Sequence, residues 1–157
     1  MLSERVVTDV LLAAMSTGGD FAEIFLEDTY NTQIRMLDGA VDEAVSGRDF
    51  GVGIRIFQGL KCVYAYTNEI DREGLIRTAR EAAAALHGAP AGRAVVLSRL
   101  AVERFNPVRL EPQQVPHQDK VEVMKRAHLA AAGFHHQITQ VAVSYLDVDQ
   151  NVFIANS

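Results

Sequence analysis

The sequence predicts an α+β protein: a helix, an antiparallel β-meander of about five strands and a second helix, then the start of a further helix-plus-strands unit. Three observations carry that expectation. Apolar residues recur at helical spacing in two stretches, Val6 to Met15 and Leu75 to Leu86. Between them, apolar and polar residues alternate with a period of two, which is strand spacing. Asp38-Gly39 and Gln58-Gly59 interrupt that alternation with residues that accept the positive φ of hairpin turns.

Taken in order, Ser3 is placed to cap a helix through about Met15, with Glu4 complementing its N-terminal dipole. Val6, Val7, Val10, Leu11, Ala14 and Met15 form one stripe, and Gly18-Gly19 ends the helix. Asp20 to Asp28 reads as a strand, with Ala22, Ile24 and Leu26 on one face and Phe21, Glu23, Phe25 and Glu27 on the other. Thr32 to Leu37 reads as the next strand and Val41 to Val45 as its return. Ser46-Gly47-Arg48-Asp49 then reads as a looser turn. In the following hairpin, Val52, Ile54 and Ile56 alternate with Gly51, Gly53, Arg55 and Phe57, and Cys62, Tyr64 and Tyr66 alternate with Val63 and Ala65. Glycines weaken a strand interior, so Gly51 and Gly53 imply a bulge or the close approach of a backbone or large side chain. Asp71 caps the second helix, whose stripe is Leu75, Ile76, Ala79, Ala82, Ala83 and Leu86, with Gly88 terminating it.

Residues 1–88 thus make one two-layer α+β unit. Residues 89–116 form a connector in which Pro107, Pro112 and Pro116 prevent long regular elements. Residues 117–157 begin a second α+β domain. Val121, Met124, Ala127, His128 and Ala131 trace a helical face that ends at Gly133. Ile138 to Val148 alternates as a strand, Asp149-Gln150-Asn151 turns the chain, and Val152 to Asn156 starts another strand. One helix and two strands are too few to be stable alone, so this second domain reads as truncated, or as docked onto the first.

Bulk properties exclude several function classes. A length of 157 residues, 48% hydrophobic and 22% charged, suits an ordinary globular domain with a real core. A net charge of -5 with scattered basic residues argues against a nucleic-acid partner. A single cysteine cannot form an internal disulfide, and with no secretory n-region or h-region the expected compartment is cytoplasmic. No apolar run approaches the roughly 20 residues of a membrane span.

Sites of chemistry are scarce. No phosphate-binding glycine loop, HExxH helix or Gly-x-Ser-x-Gly elbow occurs. Of the histidines, His87, His117, His128, His135 and His136, no pair shares a regular face, so they read as loop or helix-end residues and not as metal ligands. Cys62, flanked by apolar residues, reads as a small buried hydrophobe rather than a nucleophile. Glu23, Glu27 and Asp28 read as a solvated strand face rather than a carboxylate cluster. Tyr64 and Tyr66 share a face suited to a peptide or partner, or to ordinary sheet packing. The residues alone assign no catalytic, metal or substrate-binding position.

Gly51-Val52-Gly53-Ile54-Arg55, then Gly59, then Ala65-Tyr66-Thr67-Asn68 resembles the N-terminal signature of TldD/PmbA proteins. Supporting matches are Ala22-Glu23-Ile24-Phe25-Leu26-Glu27, Leu37-Asp38-Gly39, Ile138 through Val143, and Val152-Phe153-Ile154-Ala155-Asn156-Ser157. The resemblance covers most of the chain from Asp20 onward, apart from the connector, and is closer to the TldD branch than to the PmbA (TldE) branch. It implies a family long labelled a modulator of DNA gyrase, whose TldD branch is regarded as a cytoplasmic zinc metallopeptidase. It also implies a homodimer, or a heterodimer of TldD-like and PmbA (TldE)-like subunits. The family's zinc is held by an HExxxH helix and a later cysteine, and neither motif occurs in residues 1–157. Cys62 lies in the wrong part of the fold to be that cysteine, and no catalytic residue carries over.

Two expectations follow. In the first, the chain is an N-terminal piece of a TldD-like peptidase acting on unfolded or leader peptides, serving as scaffold, chamber wall and subunit contact, with zinc bound elsewhere. In the alternative, it is a non-catalytic binding or regulatory module, such as a PmbA (TldE)-like partner subunit. HExxxH downstream of Ser157 in the reading frame would favour the first; a continuation without it, or a stop, would favour the alternative.

Overall fold

A computed structural model describes residues 2–89, 92, 94–100 and 108–157. The remaining connector positions, Pro107 among them, lie outside the described residues. The described elements are α1 (Glu4–Ala14), β1 (Phe21–Leu37), β2 (Ala40–Gln58), β3 (Lys61–Thr67), α2 (Arg72–Ala84), a 3-10 turn (Pro112–Gln114), α3 (His117–Ala132) and β4 (Ala142–Asn156). The class is α+β, as the periodicities predict. The four strands form one antiparallel sheet in the order β3-β2-β1-β4. The described residues fall into two compact units, each assembled from segments distant in sequence: 2–28, 50–100 and 151–157 in one, 29–49 and 108–150 in the other.

In the first unit both helices start on side-chain caps. Ser3 Oγ accepts from the Val6 amide at 3.4 Å, and Asp71 Oδ1 accepts from the Gly74 amide at 2.9 Å. The helical stripes bury Val7, Val10, Leu11 and Ala14 of α1 and Leu75, Ala79, Ala82 and Ala83 of α2. These pack on Ala22 and Ile24 of β1 and Val52, Ile54 and Ile56 of β2 in one continuous core. Each buried Val, Leu or Ile contributes about 1.5–3 kcal/mol over leaving it exposed. Gly18, at φ +89°, lets the chain turn back after α1. Its carbonyl accepts from Gln58 Nε2 at 3.1 Å, which pins that return to the end of β2.

β2 and β3 pair antiparallel from Val52↔Thr67 to Gln58↔Lys61 around the two-residue loop Gly59-Leu60, with Gly59 at φ +56°. Val63 and Ala65 of β3 pack against the core, which leaves Cys62, Tyr64 and Tyr66 on the outward face. Cys62 is exposed, which corrects the expectation that it is buried. The period of two decides the matter: Val63 and Ala65 take the inward phase, so their neighbour Cys62 is turned to solvent.

The meander has fewer and longer strands than expected, because three stretches read as breaks run straight through. Thr29 to Asn31, the gap between the two expected strands, belong to β1, Ser46 to Asp49 belong to β2, and Asp149-Gln150-Asn151 belongs to β4. Polar side chains of the first two stretches meet across β1 and β2, and Asp149 meets the 3-10 turn. Asn31 Nδ2 donates to Asp49 Oδ2 at 3.4 Å, Ser46 Oγ donates to Thr32 Oγ1 at 3.3 Å, and the Arg48 guanidinium lies 5.0 Å from the Tyr30 ring centroid. Asp149 accepts from Gln113 Nε2 at 3.1 Å.

In the second unit, Asp38 and Gly39 take φ +48° and +82°, the paired left-handed conformation of a type I′ hairpin turn between β1 and β2. The Asp38 amide donates to the Val141 carbonyl, and Asp38 Oδ1 accepts from the Val141 amide, each at 2.9 Å. These bonds set β4 antiparallel beside β1. α3 lies over Ile34, Met36, Val143 and Tyr145 through Met124 and Val121.

Candidate functional site

In the second unit a line of polar side chains runs from the start of α3 into the sheet. α3 follows Pro116, which supplies no side-chain cap, and the spacing of four residues stacks Lys120 above Met124 on its inward face. Lys120 is only 3% exposed, and its Nζ donates to Asp147 Oδ2 at 2.6 Å. Its ammonium also lies 5.6 Å from the Tyr145 ring centroid, a cation–π distance. The hydroxyls of Tyr145 and Thr32 donate to the same carboxylate. Thr32 in turn accepts from Ser46 Oγ, which lies 3.2 Å from His117 Nε2.

The electrostatics follow from this crowding. Burial pushes the Asp147 carboxyl up, but the Lys120 ammonium and the Tyr145 and Thr32 hydroxyls outweigh it and hold the group below the usual carboxylate range. Burial, then the bond to Asp147 and its charge, push the Tyr145 phenol up. A buried charge with three donors is satisfied, so the arrangement ties α3 to the sheet through polar contacts. Sequence reading passed over Lys120 and Asp147. The available signal was phase: Lys120 sits four residues before Met124 on the apolar stripe, and Asp147 follows Val143 and Tyr145 on the inward side of β4. Each charge interrupts an apolar stripe in the sequence, but that the two meet is decided by the fold.

The positions singled out in the sequence do not gather here, His117 excepted. His87, His135 and His136 are exposed, the last two with ring centroids 4.2 Å apart. His128 packs against Gly39, and its Nδ1 is buried without a hydrogen-bond partner. Glu23 pairs with Arg55 at 2.6 Å, and Glu27 and Asp28 each hold interactions of their own. Tyr64 and Tyr66 lie over Gly53 and Gly51 in the first unit, where a β-carbon on Gly53 would stand 2.5 Å from the Tyr64 hydroxyl. A depression of about 370 Å³ along α2, lined by Arg72, Glu73, Ile76, Arg77, Arg80 and Glu81, is a charged helix face. Arg72 there pairs with Asp9 at 2.8 Å, and Arg77 pairs with Glu69.

Residues 22–86 match the family model for PmbA/TldA metallopeptidase domain 1, and residues 110–157 match the model for the PmbA/TldA metallopeptidase central domain. The chain belongs to the TldD/PmbA family. A Metalloprotease TldD homolog of Buchnera aphidicola is 19% identical over 142 residues, covering 88% of this chain and 29% of that protein. A Bacteroides thetaiotaomicron structure designated a modulator of DNA gyrase superposes with a TM-score of 0.74 at 16% identity, over 99% of this chain and 37% of that one. A Thermotoga maritima structure of the same designation gives 0.67 at 18% identity, over 98% and 35%. TldE of Thermococcus kodakarensis gives 0.54 at 13% identity, over 96% and 35%. At these identities the superpositions establish the fold alone. The chain spans about a third of the length of these TldD/PmbA relatives.

A metallopeptidase family implies a metal. Among the described residues no three of His, Cys, Asp and Glu are grouped so as to hold one. The Lys120 cluster offers a metal no site either: its one carboxylate is already neutralised by an ammonium, and a cation would have to displace it. Among the described residues, no helix is long and apolar enough to cross a membrane.

Proposed function

We propose that this chain is the N-terminal part of a TldD-like metal-dependent peptidase acting on unfolded or leader peptides, within which it is scaffold, chamber wall and subunit contact. The observation that carries this reading is the succession of two matches in family order, domain 1 followed by the central domain. The likeness to TldE supports a partnership with a PmbA (TldE)-like subunit, or with a second TldD-like one. The working compartment is cytoplasmic, and hydrolysis uses zinc held by the HExxxH helix and cysteine that this sequence lacks. Closeness of Gly51-Val52-Gly53-Ile54-Arg55 and Ala65-Tyr66-Thr67-Asn68 to the TldD signature favours that branch.

The test is direct. Purified chain is analysed for zinc by elemental mass spectrometry and assayed on unfolded peptides, alone and after mixing with a PmbA (TldE)-like subunit. The expected result is no stoichiometric zinc, no cleavage, and co-migration with the subunit on size exclusion. Zinc at one equivalent, or peptide cleavage by the chain alone, would overturn the scaffold reading. The alternative, a non-catalytic binding or regulatory module, rests on the missing metal-ligand group among the described residues. It predicts peptide binding without any gain when a full-length TldD-like enzyme is added.

A further inference from the structure

The three helices are held in place very differently. α1 buries five of its 11 residues and α2 six of its 13. α3 buries two of 16 within this chain, and one of those two is a lysine. Its apolar seam consists of Met124 against Ile34 and Met36, with Val121, Val143 and Tyr145 at the margin. Its N-terminus has no side-chain cap, whereas α1 and α2 both have one. On its inward side His128 also carries a buried Nδ1 with no hydrogen-bond partner, which water would satisfy. Val123 and Leu129, both apolar, face solvent on its other sides.

We propose that α3 is a detachable strap: it leaves the sheet of the second unit as a local opening, and the Lys120–Asp147 pair is the clasp that holds it down. Few buried apolar contacts mark the segments of a protein that open below the global unfolding free energy. A buried ion pair contributes less than apolar groups of the same volume, because both charges must be stripped of water. Opening rehydrates both charges at once and satisfies His128, while it uncovers the strip formed by Ile34, Met36, Val143 and Tyr145. None of these residues belongs to the core of the first unit.

Hydrogen exchange read by mass spectrometry tests this on the whole chain near pH 7. Amides of α3 from Val121 to Ala132 are expected to exchange at least about tenfold faster than core amides of α1 and α2. Replacing the clasp by an apolar pair, Lys120→Met with Asp147→Leu, is expected to slow α3 exchange, and Lys120→Ala to speed it, with α1 and α2 unchanged in both. Equal protection of α3, α1 and α2 in the unsubstituted chain would overturn the proposal, even if Lys120→Ala fails to fold. So would a clasp replacement that leaves the α3 rate where it was.

Discussion

The ring of Tyr66 lies across the backbone of Gly51 on the neighbouring strand, and its hydroxyl donates to the Phe50 carbonyl at 3.0 Å. Tyr66 is paired with Gly53 in the ladder, so its side chain leans two residues along β2, and Tyr64, opposite Arg55, leans in the same way over Gly53. A methyl group on Gly51 would collide with the ring. Gly51→Ala is expected to destabilise the chain by about 1–3 kcal/mol, read from the urea midpoint. The same change in a Tyr66→Ala background should be close to neutral. Equal costs in both backgrounds would show that Gly51 answers to the backbone and not to the ring.

Asp147 makes stability depend on acid. Its folded pKa is depressed, so near pH 4 the unfolded chain binds more protons than the folded one. The stability it provides is present above the unfolded carboxylate value of about 3.9 and is lost as pH falls through the lower folded value. Urea denaturation from pH 7 down to pH 2 should show that slope, and Asp147→Asn should flatten it. Tyr145, whose pKa is raised, acts at the other end: its contribution holds below about pH 10 and fades as pH rises further.

Ile54 is fully buried among α1, α2 and β1 residues. Ile54→Ala is expected to cost about 2–5 kcal/mol, through lost transfer energy and the cavity left behind. Asp71→Ala removes the cap of α2 and should cost about 1 kcal/mol. Thermal and urea denaturation read both. An Asp71→Ala cost as large as that of Ile54→Ala would mean that Asp71 does more than cap.

Cys62 is exposed on the outward face of the edge strand β3. It should react with a thiol reagent in the native state, to one equivalent and without denaturant. Slow reaction that speeds up only on unfolding would place the thiol inside.

The helices and the hairpin could be read from the sequence because their signals are local. Ser3 and Asp71 cap within three residues, Asp38-Gly39 turns on itself, and the Val52-Ile54-Ile56 phase needs only its own strand. What was misread depends on distant partners. Asn31, Ser46 and Arg48 have turn-forming or loop chemistry until the strand that receives their side chains is present. Lys120 and Asp147 lie 27 residues apart and form a pair only once α3 crosses β4. For the Gly51–Tyr66 pair, the glycine was informative and the partner was not, because strand register decides which tyrosine arrives.

The corner at Asp38 bears on the order in which the chain assembles. A two-residue hairpin turn closes in about 1–10 μs from neighbouring residues alone. Val141, which the same aspartate holds with two bonds, arrives from 103 residues away. Asp38 therefore joins a turn made from neighbouring residues to a strand that comes from far along the chain, and contacts of such high sequence separation are the ones that slow folding. A substitution at Asp38 that keeps the turn but removes the carboxylate, Asp38→Gly, is expected to slow folding by no more than it destabilises the finished fold, read from the two arms of a urea chevron.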